Sequence, residues 1–220
     1  MVVLMGLAGL GNEIMIAYGL ALQTTTTELG LAKGTGLEPE QVQVWDLGRS
    51  LSTDLHDYLQ NFLPPQTWRD LAFITIAQGP GGFTGTRIGM VTARTLAQQL
   101  QIPLFPFSTL ATVAWQTAQH EEFSTPWIAV DYPARRGELF GGIYRVTSEG
   151  VETAQGDERY TPEQWEQTLA AFPHFCQRVT ASEQLGHTVG ALFTLGAMGY
   201  GGGDRPHWAR AKPFYGQHPV

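Results

Sequence analysis

The stretch Leu71–Leu100 constrains the fold more than any other part of the chain. It opens with an apolar run, Leu71–Ala77, whose β-branched and aromatic residues and short length are typical of a buried strand. Four glycines and a proline then fall within residues 79–85, which excludes regular structure there. The remainder has one glycine and no proline, which predicts a helix capped by Thr84 or Thr86. The stretch therefore predicts a strand, a glycine loop and a helix in succession.

The glycine loop has two interpretations. A loop that leads into a helix can point backbone N–H groups at an anion, and Gly79, Gly81, Gly82 and Thr84 are the candidate phosphate contacts. The loop has no Gly-Lys-Ser/Thr ending, so it is not a Walker A loop, and it fits G-x-G-x-x-G only loosely. The alternative is a tight turn that lets the strand and the helix pack closely.

The helix carries a stripe of small residues, because Gly85, Gly89, Ala93 and Ala97 are spaced four apart. Such a stripe lets another helix approach closely, and that helix belongs either to this chain or to a partner. The same periodicity predicts that Val91 faces the core.

Composition excludes several classes of protein. The chain has 220 residues, 43% of them hydrophobic and 15% charged, enough for one large domain or two small ones. Its net charge of −7 argues against a protein that coats nucleic acid. The single cysteine, Cys176, excludes an internal disulfide and predicts a cytoplasmic protein.

The first residues are apolar but do not predict a membrane protein. Residues 1–14 contain no Lys or Arg, and they are too short and too rich in glycine for a membrane span. We expect them to be a loose or non-native extension that precedes a start at Met15.

The order of the predicted elements indicates the fold class. Three strand-like segments precede a helix, and strands and helices then alternate, which predicts an α/β fold with a mixed sheet and helices on its faces. A second set of strands and helices follows, and Ser108 and Thr161 are predicted helix N-caps. The chain therefore divides into a first lobe, residues 15–107, and a smaller second lobe, residues 108–220, which ends in a basic and aromatic tail.

Several segments resemble a known family. Residues Gly79–Gly89, GPGGFTGTRIG, closely resemble the G-P-G-S-F-T-G-L-R-I-G signature of the TsaB family. Four further segments are similar to the first strand, the first helix, the D-A-R-R-G-E-V-Y segment and the P-x-Y-L-R ending of that family: Leu20–Thr26, Ser52–Leu63, Ile128–Phe140 and Lys212–Tyr215. The resemblance covers residues 16–146 well and the rest weakly.

The resemblance implies an ASKHA fold, in which two lobes with RNase H-like mixed sheets are related to those of actin, hexokinase and Hsp70, here with a reduced second lobe. It also implies a role in the threonylcarbamoyladenosine modification of adenosine 37 in tRNA. Members of the family are non-catalytic scaffolds that bind the transferase subunit TsaD through helices of the first lobe, so the resemblance implies the same for this chain. TsaE joins them, and tRNA is met through the complex.

This hypothesis assigns a partner interface but no catalytic residue, metal site or peptidase activity. The expected interface lies along the small-residue stripe and the neighbouring helix: Gly85, Ile88, Gly89, Thr92, Ala93 and Leu55. Without a partner, the same surface is expected to form a homodimer. No two of the six histidines are spaced four apart, so the sequence lacks the histidine pair with which the catalytic relative binds metal.

Two departures from the family pattern bear on activity. The acidic residue after the first strand is replaced by Gln23, which argues against nucleotide chemistry, and Tyr132-Pro133 interrupts the D-A-R-R run. The rival hypothesis is an ATP-dependent enzyme of the sugar-kinase type with the glycine loop at the phosphates. A third possibility is an ATP site formed only at an interface with partner subunits.

Two polar segments have alternative interpretations. Asp131, Arg135, Arg136 and Glu138 resemble a catalytic cluster, but in a turn they favour a solvated, hydrogen-bonded set. The tail, residues 205–215, interleaves basic and aromatic residues. It can stack on RNA, or it can pack on its own domain.

Overall fold

The structure, a computed structural model, describes residues 17–120 and 124–215, with backbone only at His120. The predicted extension, residues 1–14, and the predicted start at Met15 lie outside this part of the chain. No helix among the described residues is both long and apolar enough to cross a membrane.

The first sheet has five strands in the order β3-β2-β1-β4-β5. Its strands are β1 Tyr18–Gln23, β2 Glu28–Thr35, β3 Gln41–Asp46, β4 Leu71–Ala77 and β5 Leu104–Phe107. The first three, which match the three strand-like segments predicted from the sequence, pair antiparallel, and β4 and β5 run parallel to β1. The parallel pairing brings the carboxyl ends of β1 and β4 to one edge of the sheet, where the glycine loop begins.

The second sheet has four strands in the order β8-β7-β6-β9. Its strands are β6 Trp127–Pro133, β7 Leu139–Thr147, β8 Gly150–Tyr160 and β9 Gln177–Thr180. β6 pairs antiparallel with β7 and parallel with β9, so this sheet is also mixed. The predicted turn at residues 131–137 is shorter than expected, because β6 continues through Asp131 to Pro133.

Within the described ranges, five α-helices flank the two sheets: α1 Leu51–Phe62, α2 Phe83–Leu100, α3 Thr109–His120, α4 Pro162–Ala171 and α5 Val189–Gly201. On one face of the first sheet, Leu20, Leu22 and Ile74 form a core with residues of α1 and α2. On the opposite face, Ala21 and Phe73 pack against α5. The alternation along each strand produces these two cores, and the predicted α/β architecture is confirmed.

The predicted division at residues 107 and 108 separates the strands of the two sheets, but not the helix and tail that follow the second sheet. Although α5 follows the second sheet in the chain, it packs on β1, β2 and β4 of the first sheet. Residues after α5 also return to this sheet: Leu104 N donates a hydrogen bond to Pro206 O at 3.2 Å, and Ala211 is buried in the core beneath α1 and α2. One face of the first sheet is therefore covered by a helix from the far end of the chain.

Helix caps were predicted correctly at two of three positions. Ser108 Oγ accepts hydrogen bonds from the N–H groups of Leu110 and Ala111, and Thr161 forms a capping box at the start of α4. At α2 the prediction was wrong, because the helix already begins at Phe83 with Gly82 as its N-cap and no side-chain cap. Thr84 and Thr86 therefore lie inside the first turn.

The stripe of small residues on α2 packs inside this chain. A Cβ atom at Gly89 would collide with Thr24 Oγ1, and one at Gly85 would collide with Thr24 O. Ala93 and Ala97 are fully buried in the core under α1. The glycines therefore let α2 pack on the segment that follows β1, and the stripe is not a free surface.

We predict that Gly89→Ala lowers the free energy of unfolding by about 1–3 kcal/mol, because the added methyl group overpacks the contact with Thr24. Chemical denaturation measures the loss. Gly201→Ala is the matched control, since a Cβ at this helical glycine meets no atom within 4 Å. Equal stability of the Gly89→Ala variant and the wild-type chain would contradict the packing described here.

Candidate functional site

The glycine loop packs against its own chain. Gly82 N donates a hydrogen bond to Thr25 O at 2.6 Å, and a Cβ at Gly81 would collide with the same carbonyl oxygen. Gly79 has a φ of +104°, a backbone conformation that favours glycine, and a Cβ there would meet Phe214 O. Three of the predicted phosphate contacts are thus glycines just before α2. At Gly79 and Gly81 a side chain would collide with the backbone of the same chain, so packing alone requires glycine there.

Beside the loop, the ends of β1 and α5 meet in a buried polar seam. Gln23 Nε2 donates to Thr188 Oγ1 at 2.9 Å, and Gln23 Oε1 accepts from Thr25 Oγ1 at 2.9 Å. Thr109 Oγ1 approaches Thr25 Oγ1 at 3.4 Å, and all four side chains are fully buried. The neutral amide of Gln23 thus bonds the hydroxyl groups of Thr25 and Thr188, and Thr109 joins the network through Thr25. A carboxylate here would be a buried charge facing neutral partners.

These contacts favour the packing interpretation of the glycine loop over the phosphate interpretation. The fourth phosphate candidate, Thr84, is exposed in the first turn of α2. Among the described residues, no group of three or more His, Cys, Asp or Glu side chains could hold a metal ion.

The aromatic residues of the tail also pack on their own chain. Phe214 N donates to Gln78 O at 2.7 Å, and its ring lies 6.3 Å from that of Phe140 in β7. The ring of Tyr215 lies 4.8 Å from that of Phe83 at the start of α2. These contacts support the second interpretation of the tail, because they use its aromatic faces within the chain.

A groove with a cavity volume of about 610 Å³ lies between α1 and α2 of the first lobe. Its apolar walls come mainly from the outer face of α2 and from Trp68. The lining residues are Ser52, His56, Leu59, Trp68, Arg87, Ile88, Val91, Thr92, Thr95 and Leu96. Val91 is 56% exposed, and Phe83 on the same side of the helix is 59% exposed.

The predicted interface divides between this groove and the core. Ile88 and Thr92 line the groove. Gly89, Ala93 and Leu55 are instead buried within the chain, and a Cβ at Gly85 would contact Thr24 and Leu51. Gly89, Ala93 and Leu55 are therefore core positions, and Gly85 is a partly buried position that packs on Thr24 of the same chain.

The sequence did not predict which residues of α2 face outward. Val91 was expected in the core, yet it lies in the groove with Arg87 and Thr95. The available signal was the position of Arg87, since an arginine four residues before Val91 marks a solvent-facing side of the helix.

The charged turn between β6 and β7 is the predicted surface structure. Ala134 N donates to Glu138 O at 2.9 Å, and Glu138 pairs with Arg159 at 3.4 Å. Arg135 and Arg136 are exposed. This arrangement supports the interpretation as a solvated turn.

A titratable cluster lies in the second lobe. Tyr144 OH donates to Asp157 Oδ1 and lies 3.2 Å from Ser108 Oγ, the cap of α3. Burial of the carboxyl group raises the pKa of Asp157 to about 6, although hydrogen bonds from Ser108 and Tyr144 oppose the shift. Burial and the neighbouring Asp157 also raise the pKa of Tyr144.

Comparison with known proteins identifies the family. Residues 65–182, more than half of the chain, match the family described as "TsaD: tRNA N6-adenosine threonylcarbamoyltransferase". The chain is 34% identical over 101 residues to the tRNA threonylcarbamoyladenosine biosynthesis protein TsaB of Bacillus subtilis (strain 168). The chain belongs to this family, among its TsaB/YeaZ members.

The likeness to TsaB proteins covers part of each sequence. The match with the Bacillus protein includes 46% of this chain and 42% of that protein. The Escherichia coli (strain K12) TsaB is 33% identical over 82 residues, which are 37% of this chain and 35% of that protein. The matched segments thus span less than half the length of these relatives.

Solved structures confirm the fold over nearly the whole chain. YeaZ from Pseudomonas aeruginosa superposes with a TM-score of 0.74 at 21% identity, covering 91% of this chain and all of that one. A P. aeruginosa protein described as similar to peptidase YEAZ gives 0.75 at 21% identity, covering 92% of this chain and 100% of that chain. The predicted two-lobed ASKHA fold is therefore confirmed in this TsaB/YeaZ protein.

We predict that the stability of the TsaB/YeaZ chain depends on the ionisation of Asp157. Its folded-state pKa of about 6 exceeds its ordinary value of 3.8. The protonated carboxyl group therefore stabilises the fold fully below about pH 4, and this stabilisation is lost as the pH rises through 6. As the pH rises from 4.5 to 7.5, the unfolding free energy of the wild-type chain should therefore fall by about 1–3 kcal/mol relative to that of Asp157→Asn, whose amide does not ionise. Urea denaturation across this range measures the gain, and parallel pH profiles for the two proteins would contradict it.

Proposed function

We propose that this chain is a non-catalytic subunit in the biosynthesis of threonylcarbamoyladenosine at adenosine 37 of tRNA. In this proposal it binds and activates the transferase subunit, TsaD, through the groove between α1 and α2. The observation that carries the proposal is the apolar outer face of α2 in a member of the TsaB/YeaZ family.

The geometry of α2 supports a docking role. Its inner face packs on Thr24 and the core, so the helix is held rigidly by its own chain. Its outer side leaves Val91 and Phe83 more than half exposed, and Ile88 lines the groove with Val91. Solvent-exposed apolar surface of this kind, with polar groups at its rim, is typical of a protein interface.

The buried seam supports the non-catalytic part of the proposal. Gln23 holds neutral hydroxyl groups at the end of β1, where the catalytic pattern of the fold calls for a carboxylate. Gly79 and Gly81 contact this chain's own backbone in the glycine loop. In this proposal the transfer chemistry belongs to the partner, and any ATP site is formed at an interface with partner subunits.

The remaining partners follow from the same proposal. TsaE joins the complex, and tRNA is bound through the complex rather than by this chain alone. Without TsaD, a second copy of this chain covers the groove and forms a homodimer. The complex is placed in the cytoplasm.

We predict that Val91→Asp abolishes co-purification with the TsaD subunit of the same organism, because docking would remove a charged carboxylate from water and lose the apolar contact of Val91 in the groove. The isolated variant should remain folded, since Val91 is 56% exposed. Size-exclusion chromatography of the mixed subunits measures complex formation, and circular dichroism measures folding.

Thr153→Asp is the control for this experiment. It introduces the same carboxylate in place of a side chain of similar size, at an exposed position of β8 in the second sheet. This variant should form the complex as the wild-type chain does. A Val91→Asp chain that still binds TsaD would show that the groove is not the interface.

A further inference from the structure

Arg87 is a charged residue in an otherwise largely apolar part of the groove. It is exposed and lies beside Ile88 and Val91 on the groove side of α2. In the part of the chain that the structure describes, the three ion pairs within 4.0 Å involve other arginines: Arg145, Arg159 and Arg178. The guanidinium group therefore has no carboxylate partner among these residues.

The sequence of α2 makes this local charge distinctive. The helix contains two basic residues, Arg87 and Arg94, and no acidic residue, although the whole chain has a net charge of −7. The other titratable side chain of the groove is His56, on α1. The groove thus presents a positively charged group on a protein that otherwise repels acidic surfaces.

A partner that covers the groove either provides a counter-charge for Arg87 or removes its guanidinium group from water unpaired. A guanidinium group that is removed from water without a counter-charge costs several kcal/mol, whereas a carboxylate can accept two parallel N–H···O bonds from it. A partner with only apolar side chains at this point would therefore bind poorly, despite the apolar walls formed by Trp68 and Leu96.

We propose that the partner surface that fills the groove presents an Asp or Glu carboxylate to Arg87, surrounded by apolar side chains. This inference rests on the proposed function, since the partner is the TsaD subunit. The ion pair would fix the position of the partner surface along the groove and exclude partners that lack the carboxylate.

The test measures the dissociation constant of the complex with purified TsaD by titration calorimetry at low and high salt. Arg87→Gln removes the charge and keeps hydrogen-bond donors, and it should weaken binding at least about 30-fold. The salt dependence of the affinity should also decrease in this variant, because a charge pair contributes to encounter and binding. Arg94→Gln removes the other arginine of α2, which does not line the groove, and should leave both quantities unchanged.

A charge reversal identifies the partner's carboxylate. Arg87→Glu should abolish binding, and Asp→Lys or Glu→Lys substitutions scanned over the docking surface of TsaD should restore it at one position. If Arg87→Gln binds TsaD with the same dissociation constant as the wild-type chain, the inference is overturned while the proposed function stands. Failure of the wild-type chain to bind TsaD would instead overturn the proposed function.

Discussion

The contact between α2 and the segment after β1 is the one on which the rest of the first lobe depends. Gly85 and Gly89 let the helix approach Thr24 so closely that a single methyl group at either position would collide with it. This approach buries Ala93 and Ala97 against the core of α1 and β1. The orientation of the helix is then fixed, and its opposite side, with Val91 and Arg87, must face outward. A packing requirement on the inner face thereby creates the groove on the outer face.

Much of this fold follows from local sequence patterns. The apolar run at residues 71–77, the glycine loop and the caps Ser108 and Thr161 were each predictable, because strand propensity and capping act over a few residues. The position of α5 was not predictable, since its pairing with the first sheet joins parts of the chain about 170 residues apart. The same holds for Phe214, which reaches the glycine loop from the far end of the sequence.

The candidate site shows why periodicity was an insufficient guide. A repeat of four proves that Gly85, Gly89 and Ala93 share one face of a helix, but it does not show what covers that face. Small residues permit close packing against a partner or against the same chain, and here the carbonyl oxygen and the side chain of Thr24 occupy the space beside Gly85 and Gly89. Ile88 and Thr92, at the margin of the stripe, line the groove, and their role in a partner interface stays a prediction. The neutral seam around Gln23 could be anticipated only as a missing acid, whereas its hydrogen bonds to Thr25 and Thr188 required the structure.

The central claim is that α2 serves the fold with one face and a partner with the other. Hydrogen–deuterium exchange, measured on this chain with and without purified TsaD, tests it most directly. The account predicts slower exchange in residues 51–62 and 83–100 on binding, with unchanged exchange in the strands of the second sheet. Slower exchange confined to the glycine loop or to the second sheet, with α1 and α2 unaffected, would contradict it.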